Sequence, residues 1–338
     1  MRELIRQKLN DPALTARYEK EFQQLREFYA DPVPEMLVLG HQQWMGPQGW
    51  EGREDAVYTD PEGYVDAVMA AFAEKIDTLQ PDGPLALPVL EYWLYGVHFV
   101  DKIFGAEVTC LESSGQWNTR YLTTPIGTLQ KPDLETNETW LLAKRMAEAF
   151  LKWDVTGIMF KPQVIASPLN IAVNLYGAEI LIAMIEEPEN AAHDLRVITD
   201  TLVELHRWYR EHIPAQQLQM IAGGRTQPPY YGQICGCSTQ LVSPELYEKF
   251  IMPLDDEVLG VYPEGGLIHL CGSHAHLIPQ FAKMKNLKNL QLNDRAAEDM
   301  ELYARGLRAD QTLYVAPCEG MPTERIKELS VLHRTILA

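Results

Sequence analysis

Gly266-Leu-Ile-His-Leu-Cys271, Leu287-Lys-Asn-Leu-Gln-Leu292 and Thr312-Leu-Tyr-Val-Ala316 are three short apolar runs, and the way they alternate with helical stretches decides the fold. Each run has the length and the aliphatic content of a buried strand, while segments 274–284, 296–306 and 322–336 repeat apolar positions at helical spacing. Strands that alternate with helices form βα units around a parallel sheet, and right-handed crossovers leave an open doubly wound sheet or a closed barrel.

The same rhythm extends upstream. Helix 61–77 precedes strand 85–93, helix 95–104 precedes strand 107–112, and a hairpin-like stretch covers 117–129. Helix 136–152, strand 157–166, helix 169–184 and a long helix 188–212 follow, the last opening on Pro188-Glu189, a favoured start. Strand 218–222 leads into a Gly/Pro-rich loop, 223–232; the segment 233–242 reads as a strand and 244–261 as a helix. About eight strands without the hairpin are enough to close a barrel. The expected fold is therefore α/β, a single (β/α)8 TIM barrel over residues 36–338, with an N-terminal helical arm over 1–35. The arm has helical spacing at Leu4, Ile5, Leu9, Phe22 and Leu25, and would pack on the barrel or on a second copy in a homodimer.

Bulk properties narrow the function. The 338 residues carry 47 acidic and 29 basic side chains, a net charge of -18. That balance argues against nucleic acid or an anionic membrane as the main partner, since both attract clustered Lys and Arg. The first residues have no apolar signal region, and no run of about 18 apolar residues occurs. The expected location is the cytoplasm, where five cysteines are better read as thiols or metal ligands than as a disulfide framework.

Two residues apart on a strand, His269 and Cys271 present their side chains to the same face, at the carboxyl end where barrel active sites are built. Cys318 follows 318 − 271 = 47 residues later, at the carboxyl end of the strand 312–316. One imidazole and two thiolates suit zinc, and three protein ligands leave a fourth position for water or substrate. Read as spacing alone, the same residues are equally two buried thiols and a core histidine. Cys235-Gly-Cys237 could hold a second metal or serve redox chemistry, and reads more simply as a pair of buried thiols, as does Cys110. Acidic runs at Glu186-Glu187 and Asp255-Asp-Glu257 read as solvated helix faces.

Longer motifs resemble one family. Val164-Ile-Ala-Ser-Pro-Leu-Asn-Ile-Ala-Val-Asn-Leu-Tyr-Gly177 looks like the "GP-x-T/S-L-A" turn and helix of the uroporphyrinogen decarboxylase superfamily, and Glu187-Pro-Glu resembles its "dPe" helix start. Leu241-Val-Ser-Pro-Glu-Leu-Tyr-Glu-Lys-Phe-Ile-Met-Pro253 resembles its "lSPe-x-f-x-eFv-x-P" helix. Leu267-Ile-His-Leu-Cys-Gly272 and Ala316-Pro-Cys-Glu-Gly-Met-Pro322 resemble the "ihxCG" and "aPgC" segments of its zinc methyltransferases, which act with corrinoid proteins. The resemblance covers roughly residues 60–335. It implies zinc held by His269, Cys271 and Cys318, a corrinoid-binding partner protein, and methyl transfer to or from a thiol or a methylated small molecule. It also places Asp294 where the family often has an acidic residue at a strand end.

Two departures accompany the resemblance. The decarboxylase branch holds its substrate with an "MRQAGR" segment, whereas Leu37-Val-Leu-Gly-His-Gln-Gln-Trp-Met-Gly46 has no arginine, which sets decarboxylation behind methyl transfer. The interval before Cys318 is also shorter than the family's by one βα unit. For proton handling the candidates are His41, Glu91 and Asp294. For contact with substrate they are Trp44, Tyr92, Tyr230, Tyr231 and His274. A barrel that binds zinc or a corrinoid without turnover is the alternative from another functional class.

Overall fold

A computed structural model describes residues 1–31, 33–38, 56–76, 88–111, 115–221 and 226–337. Ten strands are found among them: β1 (Met36–Val38), β2 (Val89–Leu90), β3 (Glu107–Leu111), β4 (Gln116–Arg120), β5 (Met159–Phe160), β6 (Gly232–Cys235), β7 (Gly266–Leu270), β8 (Leu287–Leu292), β9 (Thr312–Val315) and β10 (Thr335–Leu337). Six of them form one sheet in the order β1-β10-β9-β8-β7-β6. Every pairing in it is parallel, so the chain is an α/β protein. β2 and β5 pair in parallel separately, and a bridge from Ala166 to Cys235 joins the segment after β5 to β6. No pairing of β1 with β2 is found among the described residues.

Parallel strands buried on both faces need continuous apolar runs, and β7, β8 and β9 supply them: Leu267, Leu270, Leu287, Leu290, Leu292, Leu313 and Val315 are all fully buried. One apolar layer draws on both sheets. Val89 of β2, Met159 of β5, Leu267 of β7, Tyr314 of β9 and Ile336 of β10 cluster with Leu14, Phe22, Leu25 and Phe28 of the N-terminal helix Pro12–Ala30. These are early or central positions of their strands, so that helix covers the amino ends of the sheet. Asp11 caps it by accepting from the amide of Ala13, with Pro12 at its first position. The Tyr29 hydroxyl hydrogen-bonds that of Tyr314. The carboxyl ends, on the opposite rim, carry the histidine and cysteines.

Several boundaries differ from the sequence reading, each for a local reason. Segment 107–112 is no sheet strand; Glu107–Leu111 pairs antiparallel with Gln116–Arg120, and Gly115 takes φ +65° at the turn. Its residues are mostly exposed, which is why it stays out of the core. The helix expected over 169–184 breaks into Pro168–Tyr176 and Glu179–Glu186 around Gly177 at φ +66°. These two pieces are apolar enough together to resemble a broken membrane span, but they meet at 110°, and no single described helix is long and apolar enough to cross a membrane. The end of the chain is not all helix: after Thr323–Leu329 it becomes β10, pairing with β1. The segment 233–242 is strand only to Cys235, then a 3-10 turn over Cys237–Leu241.

Candidate metal centre

β6 and β7 are neighbours with Cys235 opposite His269. Beyond that pair β6 gives way to the 3-10 turn over Cys237–Leu241, and the Cys237 thiol lies 4.0 Å from the His269 carbonyl. The donor atoms of Cys237, His269 and Cys271 all lie within 4.8 Å of one another, and each residue is half-buried. Three soft to borderline donors that converge in this way, from the carboxyl ends of two adjacent strands, suit a tetrahedral ion such as zinc with one position left open.

Cys237 stands beside the two expected donors, His269 and Cys271, where the sequence reading had Cys318. Cys318 lies in the turn after β9, and β8 separates β9 from β7 in the sheet. The Cys318 thiol instead faces the backbone carbonyl of Asp294 at 3.5 Å, and its own backbone pairs with Met321 in a tight turn. Cys237, read from sequence as a plain buried thiol, takes the place beside His269 and Cys271.

The turn that carries Cys237 is held from several sides. Asn170 Oδ1 accepts from the Ser238 amide at 2.7 Å, and the Ser167 amide donates to the Cys235 carbonyl at 2.8 Å. His274, fully buried, places Nδ1 3.0 Å from the Thr239 hydroxyl; burial lowers its pKa to about 4, so the ring is neutral. His276 Nε2 lies 3.0 Å from the Val242 carbonyl. His274 thus braces the turn from inside the protein.

Electrostatics separate the two thiols. The Cys237 thiol donates to the Cys271 sulfur, and the His269 ring also bonds to it, so Cys271 is held well below the ordinary thiol range. Cys237 is pushed the other way, first by that hydrogen bond and then by burial. One sulfur therefore ionises readily and its neighbour keeps its proton until something replaces it.

The remaining candidates spread widely. Glu91 follows β2 and is buried, with Oε1 3.5 Å from Nζ of Lys161, which follows β5 and is 1% exposed. Lys161 also donates to the Pro162 carbonyl at 2.7 Å and lies over the Trp93 ring; burial lowers its pKa, while Glu91 and then Cys235 oppose that. Tyr92 is a core residue, 1% exposed, its ring against Phe160. Tyr230 and Tyr231 precede β6 and so lie at its amino end, away from the three donors; Tyr231 packs edge-on against Tyr29 of the N-terminal helix. Asp294, exposed two residues past β8, takes φ +48°, an uncommon conformation for a residue with a side chain. His41 and Trp44 lie outside the described residues. Lys161 and Cys237 were both missed as site residues: the first had as its signal a lysine in an apolar run, the second a C-x-C matched to an H-x-C.

A cavity of about 470 Å³ lies elsewhere, between the N-terminal helix and the amino end of β5, lined by Phe22, Phe150, Met159 and Gln217 among others. It is remote from the donors and has no part in their chemistry.

No family model and no curated protein matches the chain. Among solved structures it is similar to a methyltransferase from Methanosarcina mazei, with a TM-score of 0.64 at 13% identity, over 93% of this chain and 91% of that one. At that identity the likeness is one of fold.

Proposed function

We propose that the chain is a zinc-dependent methyltransferase that moves a methyl group between a corrinoid, carried by a partner protein, and a thiol or methylated small molecule. In this reading it is a cytoplasmic, closed (β/α)8 barrel, with the two sheets as parts of one cylinder. The observation that carries it is the convergence of Cys237, His269 and Cys271 at the carboxyl rim. The shared fold with a solved methyltransferase supports it.

Cys237, His269 and Cys271 would hold the ion. Zinc, when bound, supplies a Lewis acid that keeps a substrate thiol ionised at neutral pH or makes a methylated heteroatom a better leaving group. The chain's own residues do the rest. Thr239, His274 and Asn170 fix the turn that presents Cys237. Glu91 and Lys161 form a buried pair of opposite charge, the lysine's charged form being made costly by burial and supported by Glu91. A substrate with many carboxylates, as a decarboxylase of porphyrinogens requires, would find Lys161 already matched by Glu91, which favours methyl transfer.

The test supplies zinc-loaded protein with methylcobalamin and a panel of thiols, and with cob(I)alamin and a panel of methylated amines and ethers. Formation of a methyl thioether, or of methylcobalamin, that is lost in His269→Ala is the expected result. No transfer with any pair, by protein with full zinc, contradicts the reading.

A further inference from the structure

Cys237 and Cys271 are two neighbouring thiols at the carboxyl rim of the sheet, and this pairing has a use of its own. The turn that follows β6 brings the Cys237 sulfur to within 4.8 Å of the Cys271 sulfur at the end of β7. Both residues are half-buried rather than sealed in the core, so a small reagent can reach them. The other thiols are placed differently: Cys318 faces the Asp294 carbonyl, Cys110 is exposed on the β3–β4 hairpin, and Cys235 stands across from His269.

The geometry points to Cys237 and Cys271 as an oxidation site, at which a small-molecule disulfide such as oxidised glutathione closes a bond between the turn after β6 and the end of β7 whenever the metal position is empty. The step balances as thiol–disulfide exchange. Cys271 gives up its proton and attacks one sulfur of the reagent; the reagent's S–S bond breaks, and one thiolate leaves and takes up that proton. Cys237 then gives up its proton and attacks the Cys271 sulfur, releasing the second thiol. Two protein thiols lose two electrons and the reagent gains them. Because the same two sulfurs serve as metal ligands, a disulfide and a bound ion exclude one another, and the protein's metal content follows the thiol–disulfide balance around it.

The experiment treats the full chain, stripped with a chelator, with oxidised glutathione; free thiols are counted and unreduced peptides mapped. Loss of two of the five thiols, with one peptide pair joined through Cys237 and Cys271 and restored by dithiothreitol, is the expected result. In Cys237→Ser the glutathione remains on Cys271 as a mixed disulfide, a product the wild type passes through. Stable glutathione adducts on wild-type Cys271, or a bridge through Cys235 or Cys318 instead, overturn the proposal. Zinc content is measured on the same samples. A Cys237–Cys271 link in protein that takes up no zinc supports this pairing while contradicting the metal centre, so the two ideas fail separately.

Discussion

Lys161 and Glu91 pose the sharpest question at the scale of single residues, because each is a charge taken out of water. Removing one member of such a pair leaves the other buried and unmatched, which costs about 3–5 kcal/mol, whereas replacing both with apolar groups costs far less. Lys161→Met is therefore expected to lower unfolding free energy in urea by about that amount, and Lys161→Met with Glu91→Leu to recover most of it. A double variant as unstable as the single would show that the pair is not coupled. The residue scale also separates what was legible in the sequence from what was not. His269 and Cys271 could be read as a pair because the two-residue period of a strand puts them on one face. Cys237 could not, since its nearness depends on β6 lying next to β7, which is a fact of strand order. Cys318 was offered as a third donor from its chain position alone, which does not reveal that β8 lies between β9 and β7.

Among the elements, β7 carries the site, and the turn that feeds it sets its position. Gly265 takes φ +75°, and a Cβ there would lie 2.2 Å from the backbone oxygen of Asn286. Backbone cannot yield as a side chain can, and the left-handed conformation adds strain of about 1–3 kcal/mol. Gly265→Ala is expected to cost about 2 kcal/mol or more in urea unfolding; a variant as stable as wild type would show that the turn is not fixed in this way. Most helices and the regular strands β7, β8 and β9 were readable from apolar periodicity. Two kinds of element were not. The helix expected over 244–261 contains a π-helical turn at Tyr247–Ile251 ahead of Pro253, which has no amide to donate. The hairpin of β3 and β4 looked like a barrel strand because propensity alone does not tell an exposed strand from a buried one.

For the whole molecule, buried histidines predict the response to acid. His206 is fully buried on the helix Pro188–His212, with Nδ1 3.0 Å from the Tyr262 hydroxyl, and burial lowers its pKa to about 3. The unfolded chain binds a proton there below about pH 6.5 and the folded chain does not, so the folded state loses stability as pH falls from 6.5 toward 3. Asp255, raised to about 7 by burial, works in the opposite direction between pH 3.8 and 7 but is common to both proteins in a comparison. Between pH 7 and 5, wild type is expected to lose about 2 kcal/mol more than His206→Gln; equal losses in urea unfolding would mean that the ring is protonated in the folded chain. The central claim is that the rim opposite the N-terminal helix binds zinc through Cys237, His269 and Cys271. The direct measurement is zinc per chain, after dialysis against a weak chelator, in wild type and in the Cys237→Ser, Cys271→Ser, His269→Ala and Cys318→Ser variants. One zinc in wild type and in Cys318→Ser, with loss in the other three, is the predicted result; full zinc in Cys237→Ser with loss in Cys318→Ser would contradict it.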